Sequence, residues 1–246
     1  MKLIMRGKTM DTIKVEKKKT QMIAHRGLSG LERENGIKAF VAAVNRSFYG
    51  TECDIHLTKD KVFVICHDEH TRRVSNYDVV IKDVTFEELQ KVRLNGFNSN
   101  EPDRSLYIPT LDEYLELHRK YKKQCIIEVK CPLEPNEVDM LLDKVKDDLD
   151  LVTFISFNLK NLQMIRDKNQ DIRLQFLTSS YNNELIPLLL QNKLDIDINY
   201  QALNEEVMKA FQEAKIIVNA WTINDKLVAE KLINLGIDFI TTNILE

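Results

Sequence analysis

The chain has 246 residues, of which 43% are hydrophobic and 30% are charged, a composition typical of a soluble globular protein. Its formal net charge of -3 gives no excess of positive charge for binding nucleic acid, so we exclude nucleic acid as a partner. No apolar stretch is long enough to cross a membrane, and the N-terminus has no apolar signal-peptide region. We therefore predict a cytoplasmic protein that does not insert stably into membranes.

The cysteines indicate a reducing compartment. They are Cys53, Cys66, Cys125 and Cys131, and no two of them form a CxxC pair. Three lie in strand-like runs, where a free cysteine packs as a small hydrophobic residue. Because a chain of this length can bury a sizeable core without crosslinks, we expect no disulfide framework.

Residues 1–19 precede the first predicted strand and contain a run of basic residues, namely Lys14, Lys17, Lys18 and Lys19. We interpret this N-terminal basic arm as a solvated segment or an added strand. Contact with an anionic surface is the alternative. We expect residues 20–246 to form a single domain.

From residue 20 onward, apolar runs alternate with amphipathic stretches. The runs predict strands over 21–25, 50–58, 62–67, 125–130, 152–157, 172–177, 195–199, 216–222 and 239–242. The stretches predict helices over 35–48, 111–121, 136–149, 159–168, 183–191, 204–214 and 225–235. Thr110 begins a capping box, Asn158, Asn204 and Asn224 are candidate N-caps, and Gly236 is placed to end the last helix.

The second and third strands are separated by three residues, Lys59 to Lys61. A connection this short permits an antiparallel hairpin, whereas a parallel crossover needs a dozen residues or more. The third strand is therefore an excursion from the second. Eight parallel strands separated by helices remain, which predicts a TIM (β/α)₈ barrel. No eighth helix follows the last strand before Glu246, so we expect the N-terminal arm or a partner, such as a second copy in a homo-oligomer, to cover that face.

Residues 69–108 interrupt the alternation of strands and helices. A connection of this length in a compact domain is usually functional. It leaves the same end of the barrel as the candidate site, so we expect this insertion to form part of the substrate wall.

Three carboxylates are predicted to meet at the ends of two neighbouring strands. Side chains alternate along a strand, so Glu52 and Asp54 share one face and Cys53 points away from it. Glu128 stands at the matching depth on the next barrel strand. Carboxylates so close repel one another unless protons, cations or a metal compensate. Oxygen ligands favour a hard ion, so we predict a site for Mg²⁺ or Ca²⁺.

Imidazole and basic side chains end the same strands. His25 and His67 each close a strand-like run, and imidazole titrates near neutrality, so one can accept a proton while the other donates one. Arg26 offers a planar fork that fits two phosphate oxygens. Lys130 adds a second positive charge, and Gly27 lets the backbone approach a ligand closely. This set suits cleavage of a phosphate ester.

Several other residues have weaker signals. Asp68 follows His67 and is better placed to orient it than to react. Trp221 ends the seventh barrel strand and either fills the core or gives an apolar wall for the carbon skeleton of a glycerol or alcohol. We interpret His56, His70 and His118 as structural or surface residues. The absence of nucleotide-binding, serine-hydrolase and zinc-protease motifs argues against those functions.

Together these residues resemble the motifs of the glycerophosphodiester phosphodiesterase family, in the family's order, from about residue 23 to 243. The matching pieces are His25-Arg26-Gly27, Glu34-Asn35, Glu52-x-Asp54, Thr58-Lys59-Asp60, His67-Asp68, Ile108-Pro109-Thr110-Leu111, Ile127-Glu128-Val129-Lys130, Ile155-Ser156-Phe157, Trp221-Thr222-Ile223-Asn224 and Gly236-Ile237-Asp238-Phe239-Ile240-Thr241. The resemblance implies a TIM barrel that uses a divalent metal to hydrolyse glycerophosphodiesters to sn-glycerol 3-phosphate and an alcohol.

The resemblance also implies roles for individual residues. By position, Glu52, Asp54 and Glu128 are similar to the metal ligands, and His25 and His67 to the acid–base pair. Arg26 and Lys130 resemble phosphate contacts, while Glu34 resembles the family's motif glutamate and supports the site. We include Glu34 and Trp221 among the substrate or phosphate contacts.

The chain departs from the family pattern at a few positions, none of which belongs to the expected chemistry. Arg33 and Gly36 replace the proline and threonine that flank Glu34-Asn35 in the family. Asn243 stands where the family usually has aspartate, and Lys215 replaces a common glycine.

Three functions follow as hypotheses. The first is hydrolysis of small glycerophosphodiesters, in which water or the substrate's own hydroxyl is the nucleophile. The second is a related activity on the same barrel, that of a lysophospholipase D or a phospholipase C-like phosphodiesterase. The third is a catalytically inactive barrel that binds the ligand.

Overall fold

The structure is a computed structural model that describes residues 11–246, so the first ten residues of the predicted basic arm lie outside the described part. It contains the strands β1 (Gln21–Ala24), β2 (Gly50–Leu57), β3 (Phe63–Ile65), β4 (Gln124–Val129), β5 (Val152–Ser156), β6 (Arg173–Thr178), β7 (Asp195–Asn199), β8 (Val218–Trp221) and β9 (Phe239–Thr242). All nine lie where strands are predicted, within a few residues at each end.

Eight of these strands form a closed parallel barrel. Neighbours follow the order β1, β2, β4, β5, β6, β7, β8 and β9, and β1 pairs with both β2 and β9 to close the ring. The remaining strand, β3, pairs with β2 in the antiparallel sense, with Val64 opposite His56. The predicted TIM barrel with a hairpin excursion is therefore confirmed.

Except for one short helix in the insertion at 69–108, the helices follow the barrel strands and pack outside them. They are α1 (Ile37–Val44), α2 (Phe86–Leu89), α3 (Leu111–Tyr121), α4 (Pro135–Val145), α5 (Leu159–Lys168), α6 (Leu185–Asn192), α7 (Glu205–Glu213) and α8 (Lys226–Asn234). The main core lies between helices and barrel; Cys53 faces this layer, away from Glu52 and Asp54, as predicted. Within residues 11–246, no helix follows β9.

The helix caps follow the sequence signals with one exception. Thr110 forms the predicted capping box, and Asn158 and Asn204 cap their helices. Gly236 follows α8 with φ +80°, a conformation that favours glycine. The prediction for Asn224 is wrong, because Asp225 caps α8 while the Asn224 amide oxygen accepts hydrogen bonds from the segment after β9.

The described part of the arm packs beside the end of the chain. Residues 13–15 run parallel to 244–246, with hydrogen bonds from the Ile13 and Val15 amides. Lys14 Nζ lies 2.7 Å from Glu246 Oε2, and Lys18 reaches the end of α8 through Asn234. Residues 11–18 thus lie next to the barrel end after β9, joined to it by one isolated parallel bridge between Ile13 and Leu245.

The insertion at 69–108 has a core of its own. Its buried residues include Val74, Leu89, Val92 and Leu106, which pack against β3 through Val64. Because the hairpin strand is shared between this small core and the barrel, the insertion is fixed at the C-terminal end of the barrel strands.

The described residues contain no helix that is both long and apolar enough to cross a bilayer. The four cysteines are free, and three of them are buried. The cytoplasmic location and the homo-oligomer stay predictions.

Candidate active site

Three carboxylates meet at the C-terminal end of the barrel strands. Glu52 and Asp54 lie on β2, and Glu128 lies opposite Asp54 on β4. All three are buried, and each offers an oxygen within 4.8 Å of the others. The alternation of side chains along the strands aims these residues inward together, as the sequence predicts.

The electrostatics of this cluster fit a divalent cation. Burial, then the charges of Asp54 and Glu128, raises the pKa of Glu52 well above its usual range, and burial with Asp54 raises that of Glu128 to about 7. Burial opposes ionisation of Asp54 too, but Arg26 and Lys130 lower its pKa. Asp54 Oδ1 is buried without a hydrogen-bond partner among the described residues. Oxygen donors that crowd one another and lack partners are what Mg²⁺ or Ca²⁺ satisfies.

Two cationic side chains border the carboxylates. Arg26 Nη1 donates to Glu34 Oε1 at 2.9 Å, and Arg26 Nε lies 3.3 Å from Asp54 Oδ2. Lys130 Nζ lies 2.8 Å from Glu128 Oε1 and 3.5 Å from Asp54 Oδ1. The cations therefore stand beside the ion site with their charges partly neutralised, in position to contact an anion bound there.

The turn after β1 places Arg26 in an unusual conformation. Arg26 has φ 54° and Gly27 has φ 72°, the left-handed region that is uncommon for side chains other than glycine. The Arg26 amide donates to Glu52 Oε2 at 2.8 Å. A Cβ on Gly27 would lie 2.6 Å from the Ala39 backbone, so this glycine allows close packing against α1.

His25 is fixed by a residue from the last strand's end. Its Nδ1 lies 2.7 Å from Asn243 Oδ1, which also accepts from Ser29 Oγ at 3.0 Å. Since an amide oxygen only accepts, Nδ1 carries the hydrogen and Nε2 keeps its lone pair. Nε2 lies 4.0 Å from Glu52 Oε2. Burial, followed by the charge of Arg26, lowers the pKa of His25 to about 4, so the ring is neutral at pH 7.

His67 has a charged partner instead. Its Nδ1 donates to Asp68 Oδ1 at 2.7 Å. Burial lowers the pKa of His67, while the negative charge of Asp54 and the hydrogen bond to Asp68 act in the opposite direction. His56 Nε2 donates to the His67 carbonyl at 3.2 Å and so supports the backbone at this position. The carboxylate of Asp68 orients the ring, as the sequence suggests.

Both histidines line one cavity of about 120 Å³, together with Arg26, Lys130 and two of the three carboxylates. Its opposite wall is apolar and consists of Ile155, Phe157, Leu177 and Trp221. Trp221 meets Phe157 edge to face, with ring centroids 5.7 Å apart. Trp221 packs against a buried cluster that includes Ile155 and Leu177 and also lines this cavity, so the structure agrees with both readings.

Two sequence expectations about the surroundings change. Glu34 does not line this cavity but stands behind Arg26, to which it is hydrogen-bonded. The insertion gives no side chain to the cavity wall. It lines a neighbouring cavity of about 300 Å³ with residues 97–100 and Arg73, because its separate core holds it to one side of the barrel mouth.

Three residues near the site, to which the sequence analysis assigned no function, contact or adjoin the candidate groups. The Asn35 amide donates to Asp54 Oδ2 at 2.8 Å, and Asn243 holds His25. Asp197 is a buried carboxylate at the cavity floor, where burial and Glu128 raise its pKa well above the usual range. The alternating carboxylates of β7 were a readable signal for Asp197.

Residues away from this cavity play other parts. His118 is fully buried, with hydrogen bonds to the Tyr114 carbonyl at 2.7 Å and to Thr51 Oγ1 at 2.8 Å, so it is structural. A larger cavity of about 320 Å³ lies at the opposite end of the barrel, beside Tyr49, Arg173 and Phe239. It holds none of the predicted catalytic, metal or phosphate residues, so size alone does not identify the site.

Comparisons with known proteins agree with this geometry. A sequence model of the glycerophosphoryl diester phosphodiesterase family matches residues 25–246. A glycerophosphodiester phosphodiesterase of Caldanaerobacter subterraneus is 30% identical over 92% of this chain and 94% of its own length. A phosphodiesterase structure from Oleispira antarctica, in complex with the product sn-glycerol-3-phosphate, is similar with a TM-score of 0.85 and 27% identity, covering 91% of this chain and 92% of that one. A glycerophosphodiester phosphodiesterase structure from Thermotoga maritima has a TM-score of 0.75 and 27% identity, with coverage of 91% and 94%.

Proposed function

Since the chain belongs to the glycerophosphoryl diester phosphodiesterase family and is a phosphodiesterase of glycerophosphodiesters, we propose that it releases sn-glycerol 3-phosphate and an alcohol by metal-assisted acid–base catalysis with two histidines. The observation that carries this proposal is the cavity lined by two imidazoles, two cationic side chains and two carboxylates of the buried cluster of Glu52, Asp54 and Glu128. Cleavage of a phosphodiester uses each of these groups: positive charge that stabilises the phosphoryl oxygens, a general base and a general acid.

Glu52, Asp54 and Glu128 would hold one divalent cation, Mg²⁺ or Ca²⁺. When bound, this ion supplies positive charge that stabilises the phosphoryl oxygens as the transition state forms. Arg26 and Lys130 would contact the same phosphate from the side, since their nitrogens lie 3.3 Å and 3.5 Å from Asp54 oxygens. Glu34 keeps the Arg26 fork oriented toward the site.

The two histidines divide the proton transfers. His25 is neutral and its Nε2 is free, so it would accept the proton of the attacking oxygen, from water or from the substrate's glycerol hydroxyl. Burial lowers the pKa of His67, and its pairing with the Asp68 carboxylate opposes that shift. In its protonated form His67 would donate a proton to the alkoxide as the P–O bond breaks. Where the glycerol hydroxyl is the nucleophile, water would then open the resulting cyclic phosphate with the two rings in exchanged roles, which gives glycerol 3-phosphate and returns both protons.

Trp221 and Phe157 would place the carbon skeleton of the substrate. They give the cavity an apolar wall opposite its charged groups, which suits a molecule with one ionic and one carbon-rich side. Phe157 is 49% exposed at the rim. This exposed ring favours a second candidate substrate, a lysophospholipid whose alkyl chain would pass over it.

A coupled assay for glycerol 3-phosphate tests the proposal. We expect release from glycerophosphocholine and glycerophosphoethanolamine, loss of release in EDTA, and recovery with Mg²⁺ or Ca²⁺. Choline release from lysophosphatidylcholine, measured in parallel, ranks the two substrate classes. Full activity in EDTA would contradict the metal, and binding of glycerol 3-phosphate without any turnover would identify an inactive barrel.

Variants separate the two histidines from the rest of the fold. His25→Ala and His67→Ala should each lower kcat by about 10²- to 10⁴-fold, the usual share of general acid–base catalysis. His70→Ala is the matched control, because His70 follows closely in sequence but does not line the cavity. Near-normal turnover of either catalytic variant would disprove the assignment.

A further inference from the structure

An arginine from the insertion connects two parts of the site. Arg73 Nη1 and Nη2 donate to the two oxygens of Glu34 at 2.7 Å and 2.9 Å, and Arg73 Nε donates to Asp68 Oδ2 at 2.6 Å. Each of these carboxylates also accepts a hydrogen bond from a proposed functional group: Glu34 from Arg26, and Asp68 from His67. One guanidinium therefore stands between the phosphate contact and the proton donor.

Resting on the proposed function, we propose that Arg73 is a positioning residue that holds Arg26 and His67 in register with each other. Arg26 sits on the turn after β1, whereas His67 follows β3, so no shared strand fixes the distance between them. The planar fork of arginine matches a carboxylate with two parallel hydrogen bonds and has a third donor for another acceptor. Arg73 uses all three in this way.

The chemistry of the neighbours explains why a cation is needed at this point. Glu34 and Asp68 are both anionic partners, and Arg26 is already shared between Glu34 and Asp54. Among residues 11–246, the Asp68 carboxylate without Arg73 would keep only His67 as a partner, so it could rotate away from the ring. Glu34 would keep a single contact to Arg26, so the guanidinium fork of Arg26 would lose its fixed direction.

Arg73 is not a major stabiliser of the fold. Its side chain is 42% exposed, and exposed ion pairs contribute little to folding because water screens them. A loss of function on its removal would thus not follow from unfolding. Arg72, the preceding residue, is a matched control: its side chain is 70% exposed and pairs with Asp78, away from the site.

We would measure Arg73→Gln, Arg73→Lys and Arg72→Gln beside the wild type, with steady-state kinetics on glycerophosphocholine. Arg73→Gln should lower kcat by about 10- to 100-fold, the size of effect that displaced supporting groups produce. Lysine should restore only part of this loss because it is a point charge without the fork. Arg72→Gln should match the wild type, and all melting temperatures should agree within about 2 °C.

A second substrate separates positioning from general damage. Glycerophospho-p-nitrophenol has a leaving group that needs no proton, so the deficit of Arg73→Gln that arises through His67 should shrink on it. An equal deficit on both substrates, or turnover equal to that of Arg72→Gln, would overturn the proposal.

A binding measurement keeps the test independent of turnover. Calorimetry with sn-glycerol 3-phosphate should show about 10-fold weaker binding to Arg73→Gln than to Arg72→Gln, through the loosened Arg26. Equal affinities would count against the proposal. If the wild type hydrolysed no glycerophosphodiester, the proposed function would be refuted. The difference in affinity between the two variants would still decide the role of Arg73.

Discussion

Removing one carboxylate from the ion site should stabilise the metal-free protein. Burial and Asp54 raise the pKa of Glu128 from its ordinary 4.5 to about 7, so ionised Glu128 is disfavoured in the folded state. A difference of about 2.5 in pKa corresponds to about 3 kcal/mol of unfolding free energy. This stability is present below pH 4.5 and is lost as the pH rises through 7. Glu128→Gln removes the ionisation that causes this loss of stability at high pH. In the variant, Lys130 still has Asp54 as an ion-pair partner.

The assay is thermal unfolding in EDTA at pH 8 and pH 5. For a chain of this size, about 3 kcal/mol raises the melting temperature by about 6–12 °C, so Glu128→Gln should melt that much higher than the wild type at pH 8. At pH 5 the folded wild type holds the proton, and the gain should fall to about 1 kcal/mol. Glu116→Gln, an exposed change on α3, is the control for the loss of one charge.

Metal addition should nearly cancel this difference in stability at pH 8. Mg²⁺ or Ca²⁺ at about 100 times its dissociation constant adds about 2.7 kcal/mol to a protein that binds it only when folded, so the wild type gains about 5–10 °C. The Glu128→Gln variant should gain far less. A variant that melts below the wild type in EDTA at pH 8, or that gains as much from metal, would refute the reasoning.

Two further predictions concern histidines. Burial lowers the pKa of His118 to about 4, so the folded protein should lose about 3 kcal/mol of stability as the pH falls from 6.5 to 4. The stability that His118→Gln costs, measured by urea denaturation, should therefore be smaller at pH 4.5 than at pH 8. An equal cost at both pH values would contradict this. Asn243→Asp places a carboxylate beside His25 Nδ1, which should raise the pKa of His25. A unit charge about 4 Å from the ring is worth about 4 kcal/mol at an effective dielectric of 20. The acid limb of the pH profile of kcat/KM should therefore move up by about 1–3 pH units. An unmoved limb would mean that His25 does not need to be neutral.

The sequence alone determined the barrel and the grouping of three carboxylates at one end of it. Periodicity places each strand, and the link after the second predicted strand is too short for a parallel crossover, so that an antiparallel hairpin and eight parallel strands remain. Alternation along β2 and β4 then aims Glu52, Asp54 and Glu128 inward, because side chains on one face of a strand cannot be redirected without breaking the ladder. Such local rules act over a few residues, and they suffice wherever regular strands carry the side chains.

Only the tertiary structure decided which groups support the chemistry. His25 is held by Asn243, 218 residues away, and Arg73 bridges Glu34 and Asp68 from an insertion that the sequence placed in the substrate wall. These contacts join loops and strand ends whose directions depend on individual backbone angles and on how separate cores pack. Periodicity along the chain does not predict contacts between distant segments. The partners of the proposed catalytic groups are therefore identified only once the barrel has brought those segments together.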